Sequence, residues 1–177
     1  MKKLIIAILI TFSINALGEE PEIEKVDQAI QHLMKSAPRR EIMRNRIWRA
    51  ELASLIVQTS KEYPQIDPFL LTMIIYCESS FFPGSVGKLG EEGLGQVTKQ
   101  NQRTLKCNMD TPAGQLDCMA RQLIRCFEIC PTPYGALTRY GTKNRAKGEN
   151  PCKFPKGSSV DNKIKYRLRI YNKIKSL

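Results

Sequence analysis

The chain has 177 residues, a formal charge of +11 and 42% hydrophobic residues, a length that suits one domain with at most a small extension. Past its first eighteen residues no run is long and apolar enough to span a bilayer, which argues against a membrane-embedded chain. The basic excess favours an anionic partner, whether cell wall, nucleic acid or lipid headgroups, or else serves solubility alone.

Residues 1–18 read as a signal peptide. Lys2 and Lys3 give the charged start, Leu4 to Phe12 the apolar centre, and Ala16-Leu17-Gly18 the small residues of a cleavage site. No cysteine stands near that site to carry a lipid. Removal leaves one domain over residues 19–177, periplasmic or secreted, and export makes a wall or a membrane surface a better partner than nucleic acid. Six cysteines, Cys77, Cys107, Cys118, Cys126, Cys130 and Cys152, are then read as disulfide candidates with their pairing open. A metal site is not expected: His32 is the single histidine, it lies far from every Cys, and no two Cys are separated by two residues. No cofactor is expected.

Glu19 to Glu24, acidic and containing Pro21, reads as a loose start. Val26, Ala29, Ile30, Leu33 and Met34 recur at helical spacing, until Ala37-Pro38-Arg39-Arg40 breaks the pattern. A longer helix runs from Glu41 to Tyr63 with Trp48, Leu52, Leu55 and Ile56 on its apolar face; Trp48 either faces substrate or anchors in the core. Pro64 stops it. Asp67 then caps a helix, with Pro68 at its first position, that is apolar around its circumference and ends at Glu78.

Burial at such a helix end favours the protonated form of a carboxyl, and an acid held that way can deliver a proton near neutral pH. The plainer reading is a Glu that is solvated or paired with one of the many Lys and Arg. Gly84, Gly87, Gly90, Gly93 and Gly95 follow, without the Lys-Ser or Lys-Thr of a nucleotide loop. They suggest backbone brought close to a partner.

Gln96 to Leu105 looks helical and polar. Thr111-Pro112 opens a further helix with Leu116, Met119, Ala120, Leu123, Ile124 and Phe127 on one face. Cys126 and Cys130 lie one turn apart on it, and each is expected to bridge to another segment. Tyr134 to Tyr140 is a short helical stretch. Gly141 to Ser159 reads as a loop tied down by Cys152. In the closing helix from Val160 to Leu177, Ile164, Leu168, Tyr171 and Ile174 form an apolar stripe; Lys163, Lys165, Arg167, Arg169, Lys173 and Lys175 are assigned to the rest of its surface. Such a helix either packs on the domain or lies on a membrane. No repeat and no strand series is visible, so the class is mostly α.

The stretch from Glu78 to Gln96 resembles the signature of the soluble lytic transglycosylases, Glu-Ser-x-Phe-x-Pro-x-Ala-x-Ser-x-x-Gly-Ala-x-Gly-Leu-Met-Gln. Glu78, Ser79, Phe81, Pro83, Gly90, Gly93, Leu94 and Gln96 match it without a gap. Gln115-Leu116 to Leu123, and Ala136 to Tyr140, resemble two later family segments, so the likeness runs from about Asp67 to Tyr140. Departures are Ser85, Gly87, Glu91, Gly95 and Gly141 in place of the family's Ala, Ser, Ala, Met and Asn.

The resemblance implies a lysozyme-like helical domain acting on peptidoglycan glycan strands. It implies cleavage between N-acetylmuramic acid and N-acetylglucosamine, with Glu78 as the single general acid and base and a 1,6-anhydro product. Ser79, Phe81, Gln96 and Tyr140 would bind substrate. Glu91 stands as a second carboxylate that would turn the outcome toward lysozyme-type hydrolysis. Gly87, Gly95 and Gly141 leave open a catalytically weak peptidoglycan-binding module. Oligomeric state is not legible.

Overall fold

The computed structural model describes residues 20–35, 45–141 and 150–177, and these form seven helices and no strand. Helix α1 spans residues 20–34. It is followed by α2 (Arg46–Glu62), α3 (Pro68–Ser79), α4 (Lys99–Leu105), α5 (Pro112–Ile129), α6 (Pro133–Tyr140) and α7 (Ser159–Lys175). The signal peptide, the break at Ala37 to Arg40 and the start of the predicted second helix at Glu41 lie outside the described residues.

Helix starts follow the chemistry of their caps. The side chains of Asn45, Asp67, Thr98, Thr111, Thr132 and Ser158 each accept a backbone N–H from the first turn that they precede. In α3, α5 and α6 a proline follows the cap, where its missing N–H costs nothing. Helix α1 begins earlier than expected: the segment read as a loose start is helical from residue 20, because Pro21 falls in the first turn, where proline is tolerated.

Helix α3 is the central element. Leu70, Leu71, Met73, Ile74 and Ile75 are all buried, as an all-round apolar helix requires. It packs against α2 on one side and α7 on the other, while α5 lies against α2, α4 and α6, and α6 against α7. Trp48 packs against the core from α2, so it serves as an anchor. Arg49 reaches back to Asp27 at 2.5 Å and ties α2 to α1.

Two disulfides form, Cys107–Cys118 and Cys130–Cys152. The first joins the loop after α4 to α5, and the second joins the end of α5 to the loop before α7, as expected for Cys152. Cys77 and Cys126 are free thiols, which corrects the reading of all six as bridge partners. The helix ends at Ile129, so Cys130 turns out to the loop while Cys126, one turn earlier, faces the core. Cys77 lies over Met73, sulfur to sulfur at 3.9 Å.

Helix α7 also differs in one respect. Its stripe of Ile164 and Ile174 is buried against the domain, and Arg167, expected on the solvated face, is buried with them. No helix among the described residues is long and apolar enough to cross a membrane.

Candidate active site

Glu78 occupies the last turn of α3. Beyond it the chain turns sharply: Ser80 and Phe81 both take left-handed backbone angles, at φ 51° and 64°. Such angles strain non-glycine residues by about 1–3 kcal/mol each and persist only where the surroundings enforce them. Here the Phe81 ring is fully buried and stacks obliquely on Tyr76 at 6.0 Å. The Ser79 carbonyl accepts both the Phe82 N–H and the Ser85 hydroxyl. The Ser79 hydroxyl donates to the Ile75 carbonyl inside the helix. Ser79, 6% exposed, and Phe81, fully buried, are thus interior residues that form the turn.

The glycine-rich loop is braced from three sides. Gln96, itself at φ 50°, donates its amide hydrogens to the Ser85 and Gly93 carbonyls, both at 3.0 Å. Gln115, buried on α5, accepts the Leu94 N–H and donates to the Pro83 and Met109 carbonyls. The Tyr140 hydroxyl on α6 donates to the Gly95 carbonyl at 2.7 Å. Burial, with the Glu78 charge added, pushes the Tyr140 hydroxyl well above its ordinary value, so it stays a donor at neutral pH. Two antiparallel bridges, Val86 with Glu92 and Glu92 with Val97, pin the loop to itself.

At two of the departures from the family pattern, Gly87 and Gly95, a neighbouring side chain takes up the space. A Cβ at Gly87 would lie 2.5 Å from a Glu91 carboxylate oxygen and 2.7 Å from the Gln96 amide oxygen. Glu91 fills the space that Gly87 leaves, and its carboxylate also accepts the Leu89 N–H. A Cβ at Gly95 would lie 2.6 Å from Met119 and 2.7 Å from the Tyr140 hydroxyl. Met119 on α5 therefore occupies the place next to residue 95. Glu92 is bound to Lys99 and Gln102, and Lys99 first, then Gln102, draw its carboxyl below the usual range.

Gln96 and Tyr140 line a groove of about 660 Å³ whose walls also carry Lys99, Arg125 and Arg139. Glu78 does not line this groove, but its charge acts on the Tyr140 hydroxyl. A smaller hollow is lined by Cys77 and Ser80, near neighbours of Glu78, together with Lys163, Tyr166 and Arg167. The Glu78 side chain is 18% exposed, and its Oε1 lies 2.7 Å from Nη1 of the fully buried Arg167. The approach is off the N–H axis, so this is an ion pair and not an aligned hydrogen bond.

Residues 55–118 match the family model of the transglycosylase SLT domain. This segment belongs to that family. Neither the curated proteins nor the solved structures gave a match. The SLT segment runs from the second half of α2 into α5 and contains Glu78, the glycine-rich loop and Gln115. The mostly α, lysozyme-like class expected from the resemblance therefore holds, with the helices and two disulfides as described. Tyr140 and Arg167 lie outside the SLT segment. Gln115 and Arg167 are the site residues that sequence reading passed over. The signal available was a polar side chain on an otherwise apolar face: Gln115 beside Leu116 and Met119, and Arg167 one turn from Ile164 and Tyr171.

Proposed function

We propose that the chain is an exported peptidoglycan lytic transglycosylase that cleaves between N-acetylmuramic acid and N-acetylglucosamine. The observation that carries this reading is the gapless run from Glu78 to Gln96 inside the SLT segment. Its carboxylate stands at the end of a buried helix, and its charge reaches Tyr140, a wall residue of the groove that Gln96 also lines. Glu78 first gives its proton to the glycosidic oxygen. As a carboxylate it then takes the proton of the C6 hydroxyl of the same muramic acid. That oxygen closes on the anomeric carbon and gives the 1,6-anhydro end. Most glycosidases need two carboxyl groups. An internal hydroxyl already held near its target removes much of the entropic barrier, so one group suffices.

Gln96 and Tyr140 shape the wall that receives the glycan. Ser79 and Phe81 support it from within. The Glu91 carboxylate accepts the Leu89 N–H within the loop. The signal-peptide pattern of residues 1–18 and the two disulfides support a periplasmic or secreted location.

Digestion of purified sacculi followed by mass spectrometry tests the reading. Anhydro-ended fragments are expected from the wild type and none from Glu78→Gln. Uncut strands with the wild type, or equal cutting by Glu78→Gln, reject it. Free reducing ends would assign hydrolysis instead, with Glu91→Gln as the variant to examine next.

A further inference from the structure

Glu78 has three rotatable bonds and sits where α3 is ending, so the helix alone does not fix its carboxylate. The opposing cation is fixed. Arg167 is 1% exposed and lies on the inner face of α7, between helix turns that bury Ile164 and Ile174. Helix α7 packs on both α3 and α6, the two elements that carry Glu78 and Tyr140. It is held at its N-terminal end by Asp161, which accepts from Tyr134 of α6 at 2.6 Å, and near its C-terminal end by Lys175, paired with Asp67, the cap of α3. The loop that leads into it is anchored by Cys130–Cys152. A buried guanidinium demands a counter-charge, and Glu78 is its ion-pair partner.

On the lytic transglycosylase reading of the site, we infer that Arg167 is the positioning residue for Glu78, supplied by a helix outside the SLT segment. The guanidinium faces Oε1, which is the carbonyl oxygen of the protonated acid and one oxygen of the carboxylate alike. That leaves Oε2 as the atom that exchanges a proton with the glycosidic oxygen and then with the C6 hydroxyl. Arg167 acts through Glu78 and does not touch substrate. The pair also explains why a strongly basic helix places one cation inward among apolar neighbours while Lys163, Arg169 and Lys173 remain outside.

The test is steady-state digestion of sacculi at one pH by the full chain and by Arg167→Lys, Arg167→Met and Arg167→Ala, with melting curves for each. Displacement of a catalytic group by about 1 Å costs on the order of 100-fold. Arg167→Met is expected to lose ~100-fold in kcat with KM nearly unchanged, and Arg167→Lys, with a shorter point charge, ~10-fold. Added guanidinium ion at sub-denaturing concentration should restore turnover to Arg167→Ala, whose truncation leaves room for it, but not to Arg167→Met. If the Met variant melts below the assay temperature, Arg167→Lys decides. Wild-type kcat in Arg167→Lys, or in a folded Arg167→Met, overturns the assignment. An inactive wild type would instead defeat the transglycosylase reading beneath it, so the two failures are separable.

Discussion

Replacing Glu78 by Gln removes the charge that faces Arg167 and leaves a buried guanidinium without its counter-ion. Removing one partner of a buried pair costs several kcal/mol, and the partial exposure of Glu78 reduces that to about 2 kcal/mol. The Glu78→Gln variant should therefore melt roughly 5 °C lower as well as lose activity, and a double variant with Arg167→Met should recover part of that loss. The thiols give a second residue-scale outcome. Burial raises Cys77 to about 11, with Arg167 opposing it, and raises Cys126 to about 11. At pH 8 neither should react with a thiol reagent in the folded protein. Unfolding without reductant should expose two reactive thiols, and reduction all six. Four or more before reduction would contradict the two bridges.

At the scale of elements, the loop from Gly84 to Val97 owes its shape to groups on three helices. Gly95→Ala places a methyl against Met119 and the Tyr140 hydroxyl, and overpacking of this kind costs about 1–3 kcal/mol. It should reduce turnover through the loop while α3 stays intact, which circular dichroism and kinetics would distinguish.

The tie between α6 and α7 gives a pH dependence. Lys165 first, then the Tyr134 hydroxyl and the Gly157 N–H, hold the Asp161 carboxyl at about 2, below its ordinary 3.8. A depressed acid stabilises the folded state fully above its unfolded value and loses that contribution as pH falls through the folded one. The stability of the wild type should drop between about pH 4 and pH 2, and Asp161→Asn should flatten that part of the curve in denaturant titrations.

The elements themselves were legible from periodicity and caps. Asp67-Pro68 and Thr111-Pro112 mark helix starts that the structure keeps, and the run from Phe69 to Tyr76 marks its centre. What was not legible is which side of an element a polar residue takes. Arg167 reads as one more cation on a basic helix, because its partner belongs to a distant segment and no local pattern encodes that pairing. Phe81 reads as a cleft aromatic, because the left-handed turn that sends it inward is enforced by contacts from elsewhere in the fold.

For the whole molecule, the SLT segment is less than a folding unit. Residues 55–118 contain α3 and the loop but omit α7, which covers one side of α3, and α6, which holds Tyr140 on Gly95. Expressed alone, that segment should show little cooperative melting and no turnover, whereas residues 19–177 should melt as one unit. Reducing the Cys130–Cys152 bridge should cost about 3 kcal/mol through the entropy of the released loop and should loosen α7 before α3. Hydrogen exchange at Ile164 and Ile174 would show it.

The distance along the chain between the carboxylate and its cation also sets a timetable. A chain is made, and threads through any pore, from its first residue to its last. The helix bearing Glu78 emerges early, yet its ion-pair partner arrives only with residue 167. Until then the carboxylate is unclamped and α3 lacks the cover of α7. On the proposed function, a nascent or half-threaded chain would carry the acid but not the assembled centre, and cutting would be deferred until the helix bearing Arg167 has docked.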